Sequence, residues 1–234
     1  MPGEFFMNFT PNLDSPDAIT LSIDNLLRDV KSGKIKIPDF QREFKWDVND
    51  RIKLLDSIYR GYPIGSLLFW ETTAASRKGQ KENTFGPATI DKRADIINLI
   101  VDGQQRITTI IGTFLLPDDD VNPKWRIYFD LKTKEFKILT RNTSPPHYWL
   151  PLREAADTLR YLAWLRKLND SQESESLINA ANQMAKAVRE YKIPAYIVRT
   201  DDKNILREIF ERLNAGGHPL SGADVFKYIF FKRD

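Results

Sequence analysis

Ile96-Ile97-Asn98-Leu99-Ile100-Val101-Asp102-Gly103-Gln104-Gln105-Arg106-Ile107-Thr108-Thr109 carries the decisive change of period in this chain. Ile96–Val101 is an apolar run of strand length. Asp102-Gly103 breaks it, and Ile107, Ile110, Ile111 and Phe114 then recur at helical spacing. A buried strand that passes through one glycine directly into a helix is the unit around which the rest is arranged. Pro117 and three aspartates close that helix.

Upstream, residues 1–19 carry Pro2, Pro11 and Pro16 and read as a loose arm. Ser22 is placed to cap a helix whose apolar stripe is Leu26, Leu27 and Val30, with Gly33 as its stop. Residues 34–38 alternate as a short strand, and 38–46 form a loop that is aromatic and charged at once. Asp47 or Asn49 caps the next helix, which buries Ile52, Leu55, Ile58 and Tyr59 and ends at Gly61. Tyr62-Pro63-Ile64-Gly65 turns into a strand over Ser66–Glu71, and the polar residues 72–95 read as one long loop.

Downstream, Trp125–Leu131 and Glu135–Thr140 alternate as hairpin strands, and 141–150 is a connector. Pro151–Leu168 and Glu173–Tyr191 read as two amphipathic helices. Ile193–Val198 returns to strand, and Asn204–Leu213 is helical until Ala215-Gly216-Gly217 breaks it. Ser221-x-x-Asp224 is a capping box for a last helix still running at Asp234, so the reading expects a fragment or a domain that continues. No period of 20–50 residues repeats. The mixture predicts an α+β fold, one domain over 1–234 with a helical insertion at 151–192.

Composition narrows the chemistry. The chain is 41% apolar and 12% aromatic, enough for a sizeable core and incompatible with wholesale disorder. Its formal net charge of +3 does not by itself announce nucleic acid, although 31–60 and 77–93 are locally enriched in Lys and Arg. The absence of Cys excludes disulfides, thiolate nucleophiles, CxxC zinc sites and iron–sulfur clusters. His147 and His218 stand too far apart in sequence to suggest a histidine metal site. No apolar run approaches the ~20 residues of a membrane span, and the N-terminus lacks a signal peptide, so a cytoplasmic protein without a membrane partner is expected. GxxxxGK[ST], GxGxxG, HExxH, GxSxG and EF-hand patterns are all absent, which excludes P-loop and Rossmann pockets.

Three features carry candidate chemistry. At Asp102-Gly103-Gln104-Gln105-Arg106, glycine permits a tight turn with no side chain blocking a ligand. The first N–H groups of the new helix lack intrahelical partners and, with the helix dipole, form an anion seat. Arg106 can add a fork of donors, Gln104 and Gln105 can orient a water or read a base edge, and Asp102 can meet a cation or a sugar hydroxyl. The plainer reading is a capping Asp102 and solvated Gln and Arg. Gln41-Arg42, set between aromatics, suits an anion beside a stacked ring; a surface Arg over Trp46 serves equally. Asn214-Ala215-Gly216-Gly217-His218 offers bare backbone to a ligand, or simply a helix end.

Taken together and in this order, Ile37-Pro38-Asp39-Phe40-Gln41-Arg42-x-x-x-Trp46, Leu55–Gly65, Val101–Arg106 and Phe210–Ser221 resemble the N-terminal domain family of GmrSD-type, modification-dependent restriction systems, related to the ParB/sulfiredoxin superfamily. The resemblance implies a ParB/sulfiredoxin-like mixed sheet with a nucleotide site at the DGQQR turn, in an anti-phage defence module. It also implies DNA as a partner, with cleavage carried by a C-terminal or separate HNH-type nuclease domain. Two enzymatic roles stay open, a GTPase-like NTPase or a part in a nuclease. On this sequence, Gly103 and Arg106 would hold a nucleoside triphosphate, Gln41 and Arg42 would add a phosphate contact, and Asn214, Gly216 and Gly217 would close the other wall. Asp102, Gln104, Gln105 and Arg106 would be catalytic: Asp102 taking Mg²⁺, Gln104 or Gln105 positioning water, Arg106 neutralising growing charge. The alternative is a ParB-like DNA-binding or DNA-cleaving domain that uses no nucleotide.

Overall fold

Two apolar runs buried on both faces organise the molecule: Leu67-Leu68-Phe69-Trp70 and Ile97–Val101 alternate their side chains between two separate clusters. The computed structural model describes residues 15–38, 43–73, 83–115, 123–139, 144–169, 175–200, 205, 206, 208 and 209. In chain order the elements are β1 (Asp17–Ser22), α1 (Ile23–Lys31), β2 (Ile35–Lys36), α2 (Val48–Arg60), β3 (Leu67–Thr73), β4 (Asn83–Phe85), β5 (Ala88–Ile90), β6 (Ile96–Asp102) and α3 (Gln104–Phe114). They continue with β7 (Ile127–Asp130), β8 (Glu135–Ile138), β9 (Trp149–Pro151), α4 (Leu152–Ala156), α5 (Thr158–Asn169), α6 (Glu175–Glu190) and β10 (Lys192–Arg199).

The fold is α+β. The main sheet has the order β1-β10-β3-β6-β2 and is mixed: β10 runs parallel to β3 and β2 to β6, whereas β1–β10 and β3–β6 are antiparallel. A second sheet, β8-β7-β9, is antiparallel throughout. Helices α1, α2, α3, α4 and α6 pack over one face of the main sheet around Phe69, Ile100, Ile107 and Met184. On the other face Trp70, Leu99 and Val198 are covered by Leu206 and Ile209 of the helical segment near 205–209.

Local signals place the element ends. Ser22 accepts from Asn25 N at 3.1 Å and caps α1. Asp47, not Asn49, caps α2, in a reciprocal box with Asp50. Gly61 ends α2 in the left-handed conformation.

The structure corrects four readings. The arm expected over 1–19 includes strand at its end: Asp17–Ser22 pairs antiparallel with β10, a partner almost two hundred residues away that no local pattern announces. The loop expected over 72–95 holds the hairpin β4–β5, whose Phe85 is fully buried. Asn83 anchors it, accepting from Ile37 N (3.0 Å) and donating to Ile35 O (2.9 Å), so a polar residue does the work of an edge-strand pairing. The connector over 141–150 ends in β9, tied by Trp149 Nε1 to the buried Asp130 carboxylate at 3.0 Å. The helix expected over Pro151–Leu168 is two, because Asp157 is extended and its carboxylate accepts from Arg160 N at 2.9 Å, restarting the helix as α5. Within the 151–192 block, α6 buries Leu177, Ala181, Met184 and Val188 in the main core. The helix and capping box expected around Ser221–Asp224 lie outside the described residues.

Candidate functional site

The site is built where β6 runs into α3. Antiparallel β3–β6 pairing is regular up to Phe69↔Ile100 and then shifts, pairing Leu68 with Asp102. That register puts one extra residue, Val101, on β6, a bulge that sets the direction in which Asp102 leaves the sheet. Gly103 follows at φ 94°, ψ 12°, the left-handed region, and α3 begins at Gln104 with no side chain capping it.

Glycine at 103 is demanded twice. A side chain would be strained at that φ, and its Cβ would stand 2.4 Å from Leu67 Cδ2 and 3.2 Å from Arg106 Nη2. The space beside Gly103 is therefore filled by this chain's own Leu67 and Arg106. What the missing side chain makes room for is β3 and the guanidinium, where the sequence suggested open access for a ligand.

Arg106 is the centre of the arrangement. Its Nη2 donates to Asp102 Oδ2 at 2.8 Å and its Nη1 donates to Ile64 O at 2.8 Å. Gly65, at φ 81°, comes so close that a Cβ there would lie 2.7 Å from Nη1. One guanidinium thus joins the end of β6, the first turn of α3 and the Pro63–Gly65 loop. The Arg106 side chain is only 16% exposed, whereas that of Asp102 is 51% exposed. Asp102 Oδ1 has no hydrogen-bond partner among the described residues. A guanidinium carries five N–H donors, so Arg106 has three beyond the two that these bonds use.

Gln105 does different work. Its Oε1 accepts from Lys45 N (2.9 Å) and Trp46 N (3.2 Å), and its Nε2 donates to Glu43 O at 3.4 Å. Its own carbonyl accepts from Thr109 Oγ1 at 2.9 Å. The side chain is buried and substitutes for secondary structure in tying the 43–46 segment to α3. Gln105→Ala strands two backbone N–H groups and a carbonyl, so a loss of about 2 kcal/mol in denaturant unfolding is expected. An unchanged midpoint would show that these groups find water instead. Gln104 is likewise buried, at 8% exposure.

A sequence profile described as the GmrSD restriction endonuclease, N-terminal domain, matches residues 23–231. The chain belongs to the GmrSD N-terminal domain family. It is a module of the kind found in restriction systems. It is also 22% identical to an uncharacterized protein of Methanocaldococcus jannaschii, over 91% of this chain and 42% of that protein. The chain thus spans less than half the length of that relative.

In this GmrSD N-terminal domain, Asp102, Gly103, Gln104, Gln105 and Arg106 lie together on one turn. Gln41 and Arg42 lie outside the described residues, as do Asn214, Gly216, Gly217 and His218. The segment that follows Gln41-Arg42 is the one Gln105 holds. Ile64 and Gly65 were not singled out by sequence reasoning as site residues, although Pro63-Ile64-Gly65 carries the signal of a turn. Among the described residues, no group of three or more His, Asp or Glu side chains could hold a metal ion, and no helix is long and apolar enough to cross a membrane.

Proposed function

We propose that this GmrSD N-terminal domain binds a nucleoside triphosphate at the Gly103–Arg106 turn and hydrolyses it. One observation carries the reading: a guanidinium held rigid by Asp102 and Ile64 O stands beside an uncapped helix start. Orphan N–H groups in a first helical turn bind anions, and a fixed guanidinium is the group best suited to add phosphate contacts.

The roles follow from what each side chain has left to offer. Arg106 meets the phosphates with its remaining donors and neutralises charge as the terminal phosphoryl group departs. We assign Gln104, on the first turn of α3, to the attacking water, and Gln105 to the 43–46 backbone that its amide holds. Gln105 acts as a positioning residue for the 43–46 segment, next in sequence to Gln41 and Arg42, to which we assign a phosphate contact. Asn214, Gly216 and Gly217 are assigned further ligand contacts on the sequence resemblance alone. Asp102, whose carboxylate is half exposed, would hold a Mg²⁺ ion together with the phosphates, and the ion would offset their charge. Mg²⁺ is commonly held by one or two carboxylates plus substrate oxygens. DNA cleavage belongs to an HNH-type nuclease domain, joined to this module or separate from it, which nucleotide turnover here would control.

A thermal melt with ATP, GTP or CTP and Mg²⁺ tests the reading. A ligand at about 100 times its dissociation constant adds about 2.7 kcal/mol, a shift of roughly 5–10 °C for a chain of this size. A second reading, DNA binding without nucleotide, is favoured by one observation. Arg28, Lys31, Arg153 and Arg160 line a polar cavity of about 260 Å³ formed by α1, the end of α3, α4 and α5, together with Asp24 and Asp157, while Glu154 pairs with Arg153 at 3.3 Å. It calls for no shift with any triphosphate and for DNA affinity that falls steeply with salt.

A further inference from the structure

A larger cavity, of about 690 Å³, opens between the end of α2, the Gly61–Ser66 loop, the end of α6 and the start of β10. Its size falls within the range of small-molecule sites, about 300–1,000 Å³. Tyr59, Pro63, Ile64, Tyr191 and Pro194 give it a mainly apolar lining, and the exposed Glu190 and Lys192 stand beside them. Tyr191 donates from its hydroxyl to Tyr62 O at 2.5 Å, which fixes the ring. Burial pushes the Tyr191 phenol up, so it remains protonated at neutral pH.

Two observations tie this cavity to the DGQQR turn. Ile64 and Gly65 belong to both: they line the cavity, and they seat the Arg106 guanidinium through the Ile64 carbonyl and the close approach of Gly65. The two sites also share one end of the main sheet. There Leu67 at the start of β3 pairs with Ala195 of β10, and Leu68 pairs with Asp102 at the end of β6.

We propose that the cavity receives the base and ribose of the nucleotide whose phosphates sit at Gly103–Arg106. The assignment rests on the phosphate-seat reading above and adds to it the half of the ligand that distinguishes a nucleotide from a bare polyphosphate. The tyrosine and proline surfaces suit a planar base, and the Tyr191 hydroxyl, Glu190 and Lys192 supply acceptors and donors for base edges and ribose hydroxyls. Arg106, held against the shared wall, links the two halves of the ligand.

Calorimetric titration of the whole chain with ATP, GTP and CTP, and separately with inorganic tripolyphosphate, each with Mg²⁺, tests it. Ala187→Trp on α6 and Ser66→Trp just before β3 narrow the cavity from two different elements, so misfolding of one variant leaves the other. The wild-type chain is expected to bind at least one nucleotide tenfold or more tightly than tripolyphosphate. Each variant that keeps its melting cooperativity should lose that preference while binding tripolyphosphate within twofold of wild type. Variants that keep the preference, or a wild type that holds tripolyphosphate as tightly as every nucleotide, overturn the base site and leave the phosphate seat standing. A wild type that binds neither ligand overturns the phosphate seat and the base site with it.

Discussion

Gly103→Ala is expected to lower the thermal midpoint by roughly 6–12 °C. The left-handed conformation costs a non-glycine residue about 1–2 kcal/mol. The new methyl group must also displace Leu67 Cδ2 from 2.4 Å, and overpacking of this kind typically costs about 1–3 kcal/mol. The sum, about 3 kcal/mol, converts at the 2–4 °C per kcal/mol usual for a chain of this size. Gly61→Ala is the internal control. Gly61 has a similar φ of 70°, but nothing lies within 4 Å of the position a Cβ would take. It carries the conformational cost alone, so its midpoint should fall by only a few degrees. Equal losses at the two positions would mean that β3 does not press on the turn as described.

Arg106→Ala is expected to reduce triphosphate affinity about 100-fold, or about 2.8 kcal/mol at 1.4 kcal/mol per decade. It should also destabilise the fold by about 2 kcal/mol, because the Ile64 carbonyl loses its donor and two glycine-lined walls lose the group that fills them. Asp102 contributes little to that second figure, since its exposed carboxylate can turn to water. Arg106→Lys separates the two effects. An ammonium retains the charge yet cannot span Asp102 and Ile64 O as a planar fork does, so affinity should fall to an intermediate level. Calorimetry and denaturant melts on the three chains give both numbers. Unchanged affinity in Arg106→Ala would remove the guanidinium from the phosphate site and leave it as a structural clamp.

Much of the fold was legible because its signals are local. Ser22, Asp47 and Gly61 announce helix ends through hydrogen bonds that span only three or four residues, from side-chain oxygens at Ser22 and Asp47 and from the backbone N–H at Gly61. Ile97–Val101 announces a buried strand by a run that is apolar but for Asn98. β1, the β4–β5 hairpin and β9 escaped notice because each is short and owes its place to a distant partner: β10, the Ile35–Ile37 backbone, and β7 with Asp130. Of the candidate site, the turn itself and its five residues could be read directly. The engagement of Gln105 with residues 43–46 could not, since nothing in an amide side chain specifies a partner some sixty positions away.

By itself, then, the order of residues determined that a strand ends at Asp102, that a helix starts at Gln104 and that a glycine must stand between them. These are consequences of side-chain period and of the φ that only glycine adopts without strain. Only the tertiary structure decided what the glycine accommodates. Packing brings Leu67 from a separate segment against Gly103, and Ile64 and Gly65 against Arg106, so the turn is shaped by neighbours that are remote in sequence and in contact only once the sheet has formed. The physical reason is range: hydrogen-bonding and steric rules act over a few residues, whereas the seat of a charge is set by every surface that closes around it.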